Sequence, residues 1–238
     1  MVQASKAELS RLKELIAGVP GWLTDEEAET LYRLGKGCRG TGVIVEIGSW
    51  KGRSTICLAL GSKAGNAVRV YAIDPHADYR FGEFKTNIER AGIEDLVTPI
   101  ASLSQPAADD FEEPVELLWI DGSHEYELVK EDFEKWVPKV VEGGTVAMHD
   151  TTWTEGPRRV AADGIYRSRR FRNVRFVVGS TTVAEKVAEN TRADRLRNRY
   201  VLALKGAFTG GTTLVKRKRG LLPARIERLG RRVLRRAS

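Results

Sequence analysis

Apolar residues recur at helical spacing across 5–16, where Leu9, Leu12, Leu15 and Ile16 stand between charged positions. That rhythm predicts an amphipathic helix. A second helix is announced by the capping-box pattern Thr24-Asp25-Glu26-Glu27. Its apolar positions Ala28, Leu31, Tyr32 and Leu34 lead to an expected glycine stop at Gly35 and Gly37. From residue 43 the pattern changes. Short apolar runs at 43–47, 68–73, 97–101, 115–120 and 145–148 alternate with helical spacing at 53–60, 84–91 and 126–137. Gly92 stops the helix at 84–91, and Gly143-Gly144 leads into the run at 145–148. Such alternation predicts an α/β, doubly wound and mostly parallel sheet with helices on both faces. Segments 174–178 and 200–204, separated by an irregular charged stretch, are expected to form a C-terminal antiparallel hairpin. No internal repeat is evident.

Composition narrows the class. The chain has 238 residues, 42% of them hydrophobic, enough to build the core of one α/β domain. No apolar run approaches the roughly 18 residues of a membrane helix. Lys6, Glu8, Arg11, Lys13 and Glu14 interrupt the N-terminus where a signal peptide would be apolar, which points to the cytosol. The two cysteines, Cys38 and Cys57, form no CxxC pair and are expected to be reduced, buried thiols. The net charge of +7 is unevenly placed. Residues 216–238 hold ten Lys and Arg against the single Glu227, a surplus of nine, so the body before them carries −2. Attraction to a polyanion therefore belongs to the tail. The chain divides into an N-terminal helical cap (1–37), a main domain (38–205) and a basic tail (206–238).

In open α/β sheets ligands bind at the carboxyl ends of the strands. The first strand ends in Glu46-Ile47-Gly48-Ser49-Trp50-Lys51-Gly52-Arg53-Ser54, where Gly48 and Gly52 allow a sharp turn and close backbone approach. A dinucleotide site needs G-x-G-x-x-G, and Trp50 stands where the second glycine would admit a pyrophosphate. Glu46 would also repel phosphate. S-adenosylmethionine has no phosphate and carries a sulfonium and an ammonium, which suit an acidic strand end. Asp74 ends the second strand about 20 residues on, the offset at which an acid can accept both ribose hydroxyls.

These residues resemble a known family. Val45-Glu46-Ile47-Gly48, with Gly52 and Ser54, looks like motif I of class I S-adenosylmethionine-dependent methyltransferases, and Tyr71-Ala72-Ile73-Asp74 looks like motif II. The resemblance runs from about Thr24 to Leu204 and implies a Rossmann-like fold. Within it the chain is similar to the bacterial group related to catechol O-methyltransferase and cephalosporin-hydroxylase-like proteins, several of which methylate sugars. The resemblance implies that Gly48, Ser49 and Ser54 lie along the methionine moiety and Asp74 on the ribose. His76 and Ser102, matched by position, fall near the adenine.

Three histidines, His76, His124 and His149, each follow a predicted strand. Trp119-Ile120-Asp121-Gly122-Ser123-His124 ends one strand and Met148-His149-Asp150 the next. Adjacent strands lie about 4.8 Å apart, so Asp121 and Asp150 can converge, and paired carboxylates repel unless a proton or cation lies between them. Mg²⁺ prefers such oxygen ligands. Alternatively, Asp121 serves only the cofactor or caps the following helix. Metal coordination would lower a hydroxyl pKa, and a histidine could then take the proton. The catechol enzyme carries a metal-binding Asp at Asp121, a catalytic lysine at the place of His124, and an Asp-Asn metal pair at His149-Asp150. The resemblance thus implies Asp121, His149 and Asp150 as ligands, with His149 or His124 as the base. Glu125, Tyr126, Asp132 and Trp136 are expected on the helix surface and in packing. Trp153 and its neighbours are expected at the acceptor pocket.

The expected activity is O-methylation of a hydroxyl on a sugar, polysaccharide precursor or glycosylated metabolite, with Mg²⁺ assisting. A phenol or catechol acceptor, and a non-methylating binding protein on the same fold, are the alternatives. An NAD-linked dehydrogenase is disfavoured by the glycine spacing. Nucleic acid is a disfavoured partner, because the body shows no aromatic-and-basic RNA platform and no Asn/Asp-Pro-Pro-Tyr segment. Leu222, Ile226, Leu229 and Val233 would stripe a basic amphipathic helix at 221–234, which suits an anionic membrane surface. A homodimer is compatible with the sequence.

Overall fold

Both N-terminal helices begin where side chains satisfy their first-turn amides. The computed structural model of the chain describes residues 2–77 and 79–219. In α1 (Lys6–Ile16), Ser5 and Glu8 form a reciprocal capping box, and in α2 (Asp25–Lys36), Thr24 and Glu27 do the same. The expected stop at Gly35 is corrected: α2 runs through it to Lys36, with Gly37 as its C-cap. Gly35 serves packing. A Cβ there would lie 2.2 Å from the Leu58 carbonyl oxygen of α3 (Arg53–Lys63), and one at Gly61 would lie 2.0 Å from that of Tyr32. The two helices therefore cross with their backbones nearly in contact.

The remaining elements are β1 (Val43–Ile47), β2 (Val70–Asp74), α4 (Arg80–Ala91), β3 (Val97–Ala101), α5 (Ser104–Asp110), β4 (Val115–Ile120), α6 (Tyr126–Trp136), β5 (Val140–Met148), α7 (Glu155–Val160), β6 (Phe171–Val177), β7 (Thr181–Lys186) and α8 (Arg192–Arg219). They build one seven-stranded sheet in the order β3-β2-β1-β4-β5-β7-β6. The first five strands are parallel, and β7 runs antiparallel to both β5 and β6. Successive residues of β1 feed opposite cores. Val45 and Ile47 pack on the side of Val129, Trp136 and Val201, whereas Ile44 packs with Leu12, Leu31 and Leu58. Burial on both faces is why the strands read as continuous apolar runs. The register pairs Ile47 with Ile73 and with Ile120, and Ile120 with Met148, so the residues that follow these strands meet along one edge.

The hairpin exists, but its second strand is corrected. The partner of β6 is Thr181–Lys186, and 200–204 lies inside α8. Thr191 starts that helix, its hydroxyl accepting from the Asp194 amide while Asp194 accepts from the Thr191 amide, and Asn198, Val201 and Lys205 give it a buried face at three-to-four spacing. α8 also continues unbroken past 206 to Arg219. The basic helix expected at 221–234 lies outside the described residues. Cys38 and Cys57 are free and buried, as expected. Among the described residues no helix is long and apolar enough to cross a membrane.

Candidate active site

The turn after β1 is shaped by close approach of two strand ends. Gly48 has φ 85°, and a Cβ on it would lie 2.2 Å from the Asp121 carbonyl oxygen, so a side chain there is excluded. Asp74, at the end of β2, holds the same turn: its carboxylate accepts from the Trp50 amide at 3.0 Å and from the His76 amide at 2.8 Å. Each oxygen keeps a second lone pair for a ligand hydroxyl. Beside this turn opens a cavity of about 810 Å³. Of the residues expected to bind cofactor, Gly48, Ser49, Ser54, Asp74, Ser102 and Asp121 line it. His124, His149 and Asp150 line it too.

Three expected contacts do not reach the wall. Gly52 caps α3 and faces Phe84 and Ile88. His76 is buried with its ring 4.9 Å from those of Phe81 and Phe84, its Nε2 3.4 Å from Ser49 Oγ. It supports the turn from behind, and burial pushes its pKa down. Glu46 points, by strand alternation, toward α3, where Thr55 Oγ1 donates to it. It is wholly buried, and burial together with the negative charges of Asp121 and Asp74 pushes it up to about 8, against hydrogen bonds from Ser54 and Thr55. Asp132, expected on a helix surface, is instead buried at the cavity wall and accepts from Ser104 Oγ at 2.6 Å and Gln105 Nε2 at 2.7 Å.

The raised Glu46 pKa has a measurable consequence. A carboxyl that is harder to ionise in the fold favours folding fully below its ordinary value of 4.5; that contribution falls as pH rises toward about 8 and is constant above. Wild-type stability should therefore decline across this window by a few kcal/mol relative to Glu46→Gln, whose side chain cannot ionise. Thermal midpoints of the two proteins compared from pH 5 to 8 check this; parallel curves would show that Glu46 titrates as an ordinary carboxyl.

At the ends of β4 and β5 the expected cluster assembles. Single ligand atoms of Asp121, His149 and Asp150 lie within 4.8 Å of one another. His149 Nδ1 is 3.0 Å from Asp121 Oδ1 and 3.6 Å from Asp150 Oδ2. Its Nε2 faces Glu27 Oε1 at 3.4 Å, an ion-pair distance too long for a well-formed hydrogen bond. Burial pushes the imidazole pKa down, but the Asp121 and Glu27 carboxylates overcome that and hold it at about 10. His124 differs. Its side chain is 58% exposed, and its Nε2 lies 2.9 Å from Asp150 Oδ2. Asp150 adopts φ 52°, a left-handed conformation that Asp tolerates better than most residues.

Glu27 and Lys205 were not foreseen as parts of the site. Glu27 is 1% exposed and accepts from the Thr24 amide (3.0 Å), Thr24 Oγ1 (2.9 Å), the Ser180 amide (2.6 Å) and Thr181 Oγ1 (2.9 Å). Burial would raise its pKa, but His149 and these donors bring it to about 2. In sequence it shows only a capping-box signal. Lys205 Nζ is buried behind the loop, donating to Thr151 Oγ1 at 2.8 Å and Thr182 Oγ1 at 3.1 Å; burial, aided by the Arg158 charge, depresses it to about 7. At the cavity mouth Trp22, 80% exposed, stacks on Trp50 at 5.0 Å; Trp153, expected at the acceptor pocket, is exposed but does not line the cavity.

Comparison with known proteins places this arrangement. Residues 45–151 match a family described as a methyltransferase domain. The protein y4gI of Sinorhizobium fredii (strain NBRC 101917 / NGR234) is 36% identical over 118 residues, which are 45% of this chain but 13% of that protein. This chain therefore spans a small fraction of that relative. The fold is shared with an O-methyltransferase from Bacillus cereus solved with S-adenosylhomocysteine, at TM-score 0.57 and 20% identity over 78% of this chain and 94% of that one. It is shared likewise with the O-methyltransferase TomG of Streptomyces achromogenes, involved in tomaymycin synthesis and solved with S-adenosylmethionine, at TM-score 0.58 and 17% identity over 79% and 92%. The span that matches the methyltransferase-domain family runs from the first strand to the His149-Asp150-Thr151 loop, and so takes in the strand ends that border the cavity.

Proposed function

We propose that the chain transfers the methyl group of S-adenosylmethionine to a hydroxyl oxygen of a sugar, polysaccharide precursor or glycosylated metabolite. The observation that carries this reading is one cavity bordered by Asp74 on one side and by the His124–Asp150 pair on the other. Gly48, Ser49 and Ser54 would lie along the methionine part, Asp74 would accept from the ribose hydroxyls, and Ser102 would border the adenine. Methyl transfer is an in-line displacement: the acceptor oxygen forms a bond to the methyl carbon while the carbon–sulfur bond breaks, releasing S-adenosylhomocysteine. Orientation of the two reactants supplies much of the rate.

His124 is our choice for the base. If Nε2–H donates to Asp150, the lone pair of Nδ1 is left to take the acceptor proton, with Asp150 orienting the ring. His149 is less suited, since its two nitrogens already face Asp121 and Glu27. The exposed face of Trp22 at the mouth favours an acceptor with a ring to stack. That chemistry also fits a phenol or catechol.

A divalent cation such as Mg²⁺ is the second reading, favoured by the span of Asp121, His149 and Asp150. The two carboxylates fit such an ion in kind, and Asp121 and Asp150 would hold it, with His149 joining them only after losing its proton. When bound it would lower the pKa of the acceptor hydroxyl.

Turnover with methyl-labelled S-adenosylmethionine on a panel of sugars, nucleotide sugars, phenols and catechols tests the proposal. Label on a saccharide oxygen is expected. Label confined to catechols would move the acceptor class, and cofactor binding without turnover on any acceptor would favour a non-methylating protein. Asp150→Ala is expected to reduce turnover more than cofactor affinity. Rates unchanged by a chelator would remove the cation.

A further inference from the structure

S-adenosylmethionine brings three charged groups to its site: a sulfonium, an ammonium and the α-carboxylate of its methionine part. Four acids border the large cavity, Asp74, Asp121, Asp132 and Asp150. They suit the two cations and oppose the carboxylate. Two arginines border the same cavity, Arg53 and Arg80. The chain sets them apart. Arg80 opens α4, beyond the Asp74 turn, and its Nε donates to the Ala77 carbonyl oxygen at 3.0 Å. Arg53 opens α3 and is the chain neighbour of Ser54, at the end of the turn assigned to the methionine part.

Arg53 is held in place before any ligand arrives. Its Nη1 donates to the carbonyl oxygens of Ile16 at 2.8 Å and Val19 at 2.6 Å, at the end of α1 and in the loop after it. The backbone of Gly21 presses on its stem, where an added Cβ would lie 2.6 Å from Arg53 Cδ. Pro20, Gly21 and Trp22 line the cavity beside it. Carbonyl oxygens satisfy donors without cancelling the charge, and among the described residues no carboxylate lies within ion-pair distance of this guanidinium. Its Nε is buried without a partner, and Nη2 is left for a ligand.

We propose that Arg53 pairs with the α-carboxylate of the methyl donor, and is the residue by which the site tells the complete amino-acid end from one that lacks this group. A carboxylate matches the planar guanidinium. The tether to Ile16 and Val19 reduces the cost of ordering a long side chain on binding. The inference rests on the reading of Gly48, Ser49 and Ser54 as the methionine side of the donor site.

Calorimetric titration of the full chain with S-adenosylhomocysteine and with its decarboxylated form, which keeps the amine and loses only the carboxylate, tests this. Wild type should prefer S-adenosylhomocysteine by about tenfold to a hundredfold, the worth of one hydrogen bond between charged groups. Arg53→Gln removes the charge while its amide can still donate toward Ile16 and Val19, and it should lose most of that preference. Loosening of the tethered segment would weaken both ligands alike, so the difference between the two losses is the deciding quantity. Arg53→Lys keeps the charge without the planar fork and should lose part of the preference; it carries the same comparison should Arg53→Gln not fold. Arg80→Gln should leave the preference as it is in wild type. Equal affinities in wild type, equal losses for the two ligands in the Arg53 variants, or a preference that disappears with Arg80 instead would each overturn the proposal. Wild type that binds neither ligand would overturn the donor site itself, a failure distinct from these because each of them requires binding.

Discussion

Asp74→Ala should lower affinity for S-adenosylmethionine by two to four orders of magnitude. Each ribose hydroxyl donating to the carboxylate contributes about 1.5–3 kcal/mol, being a hydrogen bond to a charged group. Two such bonds give about 3–6 kcal/mol, and each 1.4 kcal/mol is tenfold in affinity. The loss has a second source. The Asp74 carboxylate also accepts from the Trp50 and His76 amides, so alanine leaves two backbone donors without their partner and loosens the turn that borders the methionine end. Asp74→Asn retains one side-chain acceptor and should lose less. Calorimetry with S-adenosylhomocysteine measures both variants. Near-native affinity for Asp74→Ala would take the ribose away from this carboxylate.

The second large effect is expected at His124. Removing a positioned general base reduces turnover by about 10²–10⁴-fold. His124→Ala should show that loss in single-turnover methyl transfer while binding S-adenosylhomocysteine as wild type does. Its side chain is 58% exposed, so truncation removes little packing, and unfolding is not an available explanation for a dead variant that still binds cofactor. His149→Gln supplies the contrast. It breaks a buried arrangement between Asp121 and Glu27, so stability should fall together with activity. Wild-type turnover in His124→Ala, alongside a stable but inactive His149→Gln, would exchange the two roles.

What could be read from the chain follows the range of the interactions involved. The strand runs at 43–47, 97–101 and 115–120 match β1, β3 and β4, because strands buried on both faces are apolar throughout. The turn at Gly48 and the acid at Asp74 are local signals too. β7 escaped because it is not apolar. Thr181 and Thr182 are buried through hydroxyl bonds to Glu27, Thr151 and Tyr166, and hydropathy does not register a threonine satisfied in that way. α8 carried the Thr191–Asp194 cap as a sign, but its many arginines obscured the apolar face around Val201.

The site divides in the same manner. The convergence of Asp121, His149 and Asp150 follows from adjacency of β4 and β5, which parallel-sheet order makes foreseeable. The burial of Glu46 beneath the turn and the retreat of His76 into the Phe81–Phe84 cluster are set by α3 and α4 packing, which no local pattern encodes. Glu27 is the sharpest case. A capping glutamate is normally a surface feature, and here the β6–β7 turn closes over it: an added Cβ on Gly179 would lie 2.5 Å from its Cδ.

That carboxylate makes the first 37 residues hard to regard as an accessory. One acid on α2 caps the start of that helix, ties down the distal hairpin and faces the imidazole of His149 at the candidate site. Insertions or deletions that shift α2 by a single turn would move the anion by about 5.4 Å and leave His149 facing an empty wall. The front of the chain is therefore coupled to the candidate site in its middle, and the two parts have to vary together.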